Sequence, residues 1–387
     1  MLPVACVPVS RSRSAAAKMT RPRPSHLRSR ADRPRIGQLR LFWCALGIWV
    51  TLAWLLLVPS ASAGTFAPPS WELWHALTGT NPVSDYESRV GKHVAVLGNF
   101  IRWDGSYEWA IRRAVANRSR VLLHVSTASG QHEPEVISPG AIARGEGDDF
   151  LISLNRRLAE LGQPVYLRWL GEMNNCDNAY SPRRCDGSRR GPDHSPRSFR
   201  QAWRRAVLVV RGGDVATINL ELSSLGMPPL DTDAAALPTP RVAFIWSPMT
   251  GGSPMIPALR PRVFWPGVKY VDWVGTSFYS KYPNFRFLTP YYKGFAVRYG
   301  KPFAFAEWAI WDSDDPSFVR KFFAWVGTHR RTQMIAYNQE NLTNGPFVLA
   351  HYPRSAAVIR RKIASARFLA WAPEWLPTAA LDEGSVW

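Results

Sequence analysis

Apolar runs alternate with amphipathic, helix-like stretches from about residue 73 to near the C-terminus. This alternation is typical of βαβ units, in which each strand of a parallel sheet is followed by a helix. Strands that are buried on both faces are near-continuous apolar runs, and on that basis we predict eight strands. They are Leu73–Leu77, His93–Phe100, Arg120–Ser126, Pro164–Leu170, Val242–Trp246, Val271–Tyr279, Pro302–Ala306 and Thr332–Tyr337.

Helical periodicity separates many of these strands. The predicted helices are Tyr107–Asn117, Asp148–Leu161, Ser198–Val210, Tyr291–Tyr299 and Pro316–His329. Eight strands with interposed helices favour a single (β/α)8 TIM barrel, over residues 71–370, rather than an open sheet. Residues 64–70 (GTFAPPS) are predicted to be a linker and residues 371–387 a C-terminal tail. Two long polar loops, at 176–196 and 249–261, are expected at the C-terminal face, where active sites of barrels lie.

The first 63 residues have the composition of an export leader. Residues 1–40 carry ten Arg or Lys and one Asp, an uncharged segment follows from Leu41 to Pro59, and Ala61-Ser62-Ala63 precede Gly64. This order matches a signal peptide with a cleavage site after Ala63. The apolar segment approaches the length that spans a bilayer, so an uncleaved membrane anchor is the alternative. Both versions predict that the body lies outside the cytoplasm, secreted or attached to a membrane only through the leader.

The body contains two cysteines, Cys176 and Cys185, whereas Cys6 and Cys44 fall in the leader. An even pair in a polar loop of an exported protein predicts a disulfide. We expect no metal site, because the spacing is wrong and no nearby cluster completes four ligands. The sequence also lacks a GxSxG elbow, a Walker loop and a dinucleotide fingerprint, so we expect no cofactor.

The net charge of +19 changes its meaning once it is located, because the first 40 residues hold +9 of it. We interpret the remaining excess as a solvated surface, with an anionic glycan as the alternative partner, and expect no nucleic acid. The 18 tryptophans are equally two-sided. They fill a core, and they also suit stacking on sugar rings.

Two glutamates lie where predicted strands end. Glu172 follows the fourth strand in PVYLRWLGEMNN, and Glu307 follows the seventh in KPFAFAEWAIW. An ionised carboxylate in apolar surroundings must face a cleft, be paired, or carry a shifted pKa. A structural ion pair explains one such glutamate, but two at the ends of barrel strands favour catalysis. Glycoside hydrolysis requires a pair of carboxylates of this kind.

Several short motifs, in this order, resemble those of glycoside hydrolase family 26, which includes β-mannanases. They are GEMNN, AWRRA (202–206), FIWSP (244–248), YVDWVGTSFY (270–279), KPFAFAEWA and IAYNQE, within residues 73–362. The resemblance implies a retaining glycosidase acting on a β-linked polysaccharide, with Glu172 as acid/base and Glu307 as nucleophile. It also implies that Tyr279 orients the nucleophile and that Asn174 and Trp246 contact the substrate. We expect such an enzyme to be a monomer.

The chain departs from the family pattern at two positions. Gly171 stands where many members have His, and Ala336 stands where an aromatic is common. Sugar stacking is then expected to shift to Phe347 or to be absent. Two functions are therefore left open: hydrolysis of a mannan-like or bacterial exopolysaccharide, and non-catalytic carbohydrate binding or polysaccharide assembly on the same barrel.

Two further residues are candidates for the substrate site. Arg168 precedes Glu172 by four residues and has the same strand parity, so it should point into the barrel. It either holds a carboxylate ionised beneath the acid/base or is an ion-pair partner in the core. Trp308 follows Glu307 directly, where core packing is the alternative to substrate contact.

Overall fold

The computed structural model describes residues 64–103, 105 and 107–376. Eight parallel strands pair in chain order, and the eighth pairs with the first, so that the sheet closes into a barrel surrounded by helices. This confirms the predicted (β/α)8 TIM barrel. The strands are β1 (Leu73–Thr78), β2 (Val96–Arg102), β3 (Arg120–Ser126), β4 (Val165–Trp169), β5 (Val242–Trp246), β6 (Trp273–Tyr279), β7 (Phe303–Ala309) and β8 (Thr332–Asn338).

The α-helices follow the strands on the outside of the barrel. They are α1 (Val83–Val90), α2 (Tyr107–Ala116), α3 (Pro139–Arg144), α4 (Asp148–Leu161), α5 (Pro196–Arg211), α6 (Val215–Ser224), α7 (Phe285–Tyr292), α8 (Pro316–Thr328) and α9 (Pro353–Ile363). Short 3₁₀ turns lie at Pro192–His194, Pro257–Leu259, Pro261–Phe264, Val268–Tyr270, Leu349–His351 and Pro373–Trp375, and a π-turn lies at Lys293–Val297. Two-residue strands lie at Gly213–Asp214, Ala236–Leu237 and Phe368–Leu369.

The observed bounds differ from the predicted ones where side-chain periodicity was ambiguous. The seventh strand was predicted to end at Ala306, but β7 continues to Ala309, so Glu307 lies within the strand rather than after it. The helix predicted at Tyr291–Tyr299 instead begins at Phe285 and ends in the π-turn. Helices α1, α3, α6 and α9 were not predicted, since each is short or weakly patterned.

Two hydrophobic layers follow from the alternation of side chains along each strand. Outward residues pack against the helices, as Phe244 and Phe305 do. Inward residues fill the barrel in a smaller cluster that includes Trp74, Ala76, Val96, Leu122, Tyr166, Ala243, Ile245, Trp273, Ala304, Ala306, Met334 and Ala336. Polar inward residues are concentrated at the two ends of the barrel, and the C-terminal end carries the candidate site.

The segment predicted to be a linker closes the N-terminal end of the barrel. The Phe66 carbonyl accepts hydrogen bonds from the Tyr166 hydroxyl at 2.6 Å and from Arg120 at 2.8 Å. The Thr65 carbonyl accepts one from Trp273 Nε1 at 2.6 Å. Residues 64–70 therefore satisfy buried donors beneath the barrel, a role that their Gly- and Pro-rich composition did not indicate.

The predicted C-terminal tail also begins at this end of the barrel. Glu374 accepts hydrogen bonds of 2.7 and 3.0 Å from Arg120, the same guanidinium that binds the Phe66 carbonyl. The predicted leader, residues 1–63, lies outside the described residues. Within the part of the chain that the structure describes, no helix is both long enough and apolar enough to cross a membrane.

Candidate active site

Glu307 faces the barrel interior because β7 contains a bulge. Thr276 pairs with Phe305, but the next pair joins Ser277 to Glu307, so β7 has one residue more than β6 at this point. An extra residue reverses the alternation of side chains beyond it. Ala306 and Glu307 consequently both point inward, whereas a regular strand would have placed Glu307 on the outer face with Phe305.

The carboxylate of Glu307 is almost fully enclosed, with 6% of the residue exposed. Its Oε1 accepts hydrogen bonds from the Tyr279 hydroxyl at 3.1 Å and from Asn338 Nδ2 at 3.3 Å. Its Oε2 accepts a hydrogen bond from Ser277 Oγ at 3.3 Å and forms an ion pair with Arg168. Both oxygens are therefore held by groups from neighbouring strands, which fixes the plane of the carboxylate.

Arg168 is buried at the end of β4 and points into the barrel, as its parity predicts. Besides Glu307, its guanidinium donates hydrogen bonds to Ser277 Oγ at 2.8 Å, to Ser247 Oγ at 3.2 Å and to His124 Nδ1 at 3.1 Å. The two alternatives for this residue coincide, since the core ion pair that it forms is with the candidate nucleophile.

Opposing effects act on the ionisation of Glu307. Burial raises its pKa above the ordinary value, whereas the Arg168 guanidinium and the hydrogen bond from Tyr279 lower it. The charge of Glu172 raises the pKa of Glu307 further, which places the two carboxylates within electrostatic reach of each other. Burial and the charge of Glu307 also raise the pKa of Tyr279, so this phenol remains a hydrogen-bond donor.

Glu172 lies in the loop after β4 and is half-buried. Its backbone has φ of 52°, in the left-handed region that non-glycine residues seldom adopt. Its N–H donates to the Ser247 carbonyl at 2.8 Å, and its carbonyl accepts from Asn178 Nδ2 at 3.0 Å. The side-chain Oε2 accepts a hydrogen bond of 3.0 Å from Asn175. The loop thus fixes the backbone of Glu172 while leaving its carboxylate partly open to solvent.

Asn174 was predicted to contact substrate, but the structure places it, fully buried, between two loops. Its Nδ2 donates to the Met249 and Leu259 carbonyls at 2.9 and 3.0 Å, and its Oδ1 accepts from the Met249 N–H at 2.8 Å. This arrangement does not fit the predicted role. The neighbouring Asn175, which the sequence analysis missed, is the residue that contacts the candidate acid/base.

Trp246 and Trp308 also occupy positions that do not fit the predicted substrate contacts. Trp246 is fully buried on the outer face of β5, with Trp265 edge-on at 4.9 Å between ring centroids. Trp308, 1% exposed, stacks on Phe322 of α8 at 4.2 Å. Both tryptophans belong to the layer between barrel and helices, the alternative left open for Trp308.

A different set of aromatic rings adjoins the candidate nucleophile. The ring of Phe347 lies 5.0 Å from that of Tyr279, and Trp311 lies edge-on to Phe347 at 5.1 Å. Tyr282, which is 59% exposed, packs edge-on against Trp311 at 5.6 Å. We call Tyr282, Trp311 and Phe347 the aromatic wall. These rings come from the loops after β6, β7 and β8, and of the three only Phe347 was anticipated from the sequence.

The structure joins Cys176 to Cys185 in a disulfide, as predicted, within the loop after β4. Among the described residues, one group of His, Cys, Asp or Glu side chains has metal-like spacing, and it consists of these two cysteines and Asp177. Because both sulfurs are joined to each other, this group does not present thiolate ligands.

A surface cavity of about 480 Å³ lies at the start of α8 and along α9, lined by Asp314, Arg320, Arg354 and Arg361 among others. It contains neither glutamate. The chemistry suggested by the sequence is therefore associated with the carboxylates at the end of the barrel and not with this cavity.

Comparison with known proteins extends the description of the fold. No protein-family model matches the chain, and no curated protein sequence matches it. Solved structures do. The chain is similar to the catalytic domain of a Bacillus species family 26 endo-β-1,4-mannanase, with a TM-score of 0.52 and 11% identity over 81% of this chain and 95% of that one.

Two further structures have the same likeness. A family 26 glycoside hydrolase from a Muricauda species gives a TM-score of 0.51 and 16% identity over 81% of this chain and 95% of that one. A double mutant of a Cellulomonas fimi endo-β-1,4-mannanase gives 0.51 and 14% over 83% and 79%. At these identities the comparisons establish a shared fold, the barrel on which these enzymes are built.

Proposed function

We propose that the protein is a retaining glycoside hydrolase that cleaves a β-linked polysaccharide, mannan-like or a bacterial exopolysaccharide. The observation that carries this proposal is the placement of Glu307, held at both oxygens by Tyr279 and Arg168, at the same end of the barrel as the partly exposed Glu172. The likeness of the fold to that of family 26 mannanases supports it.

In the proposed reaction, Glu307 attacks the anomeric carbon while Glu172 donates its proton to the departing glycosidic oxygen. The C–O bond to the leaving sugar breaks and a glycosyl ester forms on Glu307. Glu172, now a carboxylate, removes a proton from water, whose oxygen attacks the anomeric carbon and releases Glu307. The second displacement restores the proton to Glu172 and retains the configuration of the sugar.

Arg168 has a distinct part in this sequence. Formation of the ester removes the negative charge of Glu307 and leaves the guanidinium buried beside a neutral group. A buried cation without its partner is unfavourable, so Arg168 favours the second displacement, in which the carboxylate re-forms. Tyr279 acts in the same direction because its hydroxyl bonds more strongly to a carboxylate than to an ester oxygen.

The aromatic wall supports a sugar-binding role for the side of the cleft next to Glu307, because flat rings offer apolar surface to sugar faces. The one cation beside it, among the described residues, is Lys281, whose Nζ lies 4.8 Å from the Trp311 ring centroid and 2.7 Å from Asp312. Since that charge is already paired, we infer a neutral glycan rather than an acidic one.

We further propose that the protein acts outside the cytoplasm. The basic, then apolar leader supports this, as does the disulfide between Cys176 and Cys185, since such bonds persist in oxidising compartments.

A second function, non-catalytic carbohydrate binding, is favoured by one observation. Glu307 is only 6% exposed and is paired with Arg168, an arrangement that also suits an inert ion pair. The two proposals differ in what the protein does to a polysaccharide that it binds, and product formation separates them.

The test is product release by the purified protein from mannan, xylan, β-glucan and bacterial exopolysaccharides, with Glu172→Gln and Glu307→Gln alongside. Glu160→Gln, an exposed glutamate on α4, is the matched control. We expect one substrate to be hydrolysed by the parent and the control only, and proton NMR to show first-formed product of retained configuration. Binding without product would favour the non-catalytic function, and inverted product would refute the double displacement.

A further inference from the structure

Gly171 lies against the guanidinium of Arg168, between this arginine and the candidate acid/base. A Cβ atom placed on Gly171 would lie 2.6 Å from both Cζ and Nε of Arg168 and 2.9 Å from Nη2. Carbon atoms in proteins do not approach one another this closely, since favourable contacts begin at about 3.5 Å. Any side chain at position 171 therefore requires the guanidinium to move.

Backbone conformation does not account for this glycine. Its neighbours Leu170 and Glu172 have positive φ, at 41° and 52°, although neither is glycine, whereas Gly171 is not among the residues with positive φ. Gly171 adopts a backbone conformation open to other residues. What sets it apart is the space that its missing side chain leaves.

The guanidinium cannot yield that space without losing its partners. It lies in the barrel between Glu307, Ser277, Ser247 and His124. Because an arginine only donates, His124 accepts at Nδ1, and its Nε2 is left to donate to Thr78 Oγ1 at 2.9 Å. The ring of Phe100 stacks on His124 at 4.6 Å. The far side of the arginine is thus closed.

We propose that Gly171 is a positioning residue, whose missing side chain admits the Arg168 guanidinium to the place from which it holds Glu307. The inference rests on the proposed glycosidase function for its kinetic consequence, but the geometry stands apart from it. It reverses the expectation drawn from the family pattern. Gly171→His, which brings the chain closer to that pattern, displaces Arg168 and lowers activity rather than raising it.

The first arm of the test needs no turnover. In protein labelled with ¹³C at the glutamate carboxyls, Glu307 is assigned from the signal lost in Glu307→Gln, and its titration is followed in the parent, Gly171→Ala and Arg168→Met. The groups that face Glu307 from the elements around it are Arg168, Tyr279, Glu172 and Tyr180, with His124 behind the arginine. We expect both substitutions to move the Glu307 titration to higher pH, and an unchanged titration in Gly171→Ala would overturn the proposal.

The second arm is kinetic. Displacement of a catalytic group by about 1 Å costs on the order of 10²-fold in rate, so we expect Gly171→Ala to lower kcat by about that factor with little change in KM. The double variant Gly171→Ala with Arg168→Met should be no slower than Arg168→Met alone, because the arginine that the methyl group would displace is absent. Additive losses would refute the proposal.

Controls separate this inference from its neighbours. Gly327→Ala, at an exposed position in α8 with open space around it, should match the parent in every measurement. If Gly171→Ala fails to fold, the double variant should still fold, and failure of both would show that the backbone, not the guanidinium, requires glycine. If the parent hydrolyses nothing, the proposed function fails while the titration still decides the role of Gly171.

Discussion

The hydroxyl of Tyr279 donates a hydrogen bond of 3.1 Å to Oε1 of Glu307, across the bulge that turns the glutamate into the barrel. Hydrogen bonds to charged groups contribute about 1.5–3 kcal/mol. We therefore expect Tyr279→Phe to lower kcat roughly ten- to hundredfold, with unfolding temperature little changed, in steady-state kinetics and thermal scans. Tyr282→Phe is the matched control, since it removes an exposed hydroxyl, and equal losses in both variants would contradict this role.

Replacing Arg168 by Met should change the pH dependence of the reaction. The guanidinium lowers the pKa of Glu307, so its removal raises that pKa. A nucleophile must be ionised, and the acidic limb of kcat/KM should therefore move to higher pH. The measurement is a pH–rate profile beside that of Arg157→Met, which removes a partly exposed arginine on α4. A limb that stays in place or moves to lower pH would argue against the contact with Glu307.

Substitution in the aromatic wall should weaken substrate binding more than chemistry. Loss of ring stacking of about 0.5–1.5 kcal/mol corresponds to roughly a two- to tenfold weaker affinity. We expect Trp311→Ala, in a Glu172→Gln background that cannot turn over, to show this loss in calorimetric titration with oligosaccharides. Trp71→Ala, 53% exposed at the opposite end of the barrel, is the control. Equal affinities for both would remove the wall from the binding site.

The disulfide should stabilise the loop that carries Glu172. A bond between Cys176 and Cys185 closes a short loop, for which the expected contribution is about 2–3 kcal/mol. The variant with both cysteines replaced by Ser should unfold at a lower temperature and lose activity before global unfolding. Intact mass should rise by two hydrogen atoms on reduction of the purified protein, and two free thiols before reduction would show that the bond does not form.

The sequence predicted what depends on periodicity. The eight strands were found because parallel strands buried on both faces are continuous apolar runs, and the parity of Arg168 correctly aimed it into the barrel. Parity would have failed for Glu307, since the bulge before it leaves no mark in KPFAFAEWA. The proximity of Glu307 to Tyr279 came from the family resemblance rather than from spacing.

The misplaced tryptophans show where the same reasoning was incomplete. Trp246 shares the parity of Phe244, which faces the helices, so alternation already excluded it from the barrel interior. Asn174 could not be placed, because its partners are carbonyls and an N–H of a loop some 75 residues further along the chain. The aromatic wall was missed for a similar reason, since its rings come from three loops that only the closed barrel brings together.

The floor of the barrel has a consequence for the order of the chain itself. One side chain, Arg120, binds the Phe66 carbonyl at one end of the described chain and the Glu374 carboxylate at the other. Arg120 begins β3, on the face opposite the two catalytic candidates. Joining the ends there and opening the chain in an exposed turn elsewhere would give a circular permutant with every barrel contact intact. The fold is in that sense a ring, and fusion partners attached at this seam would leave the carboxylates unobstructed.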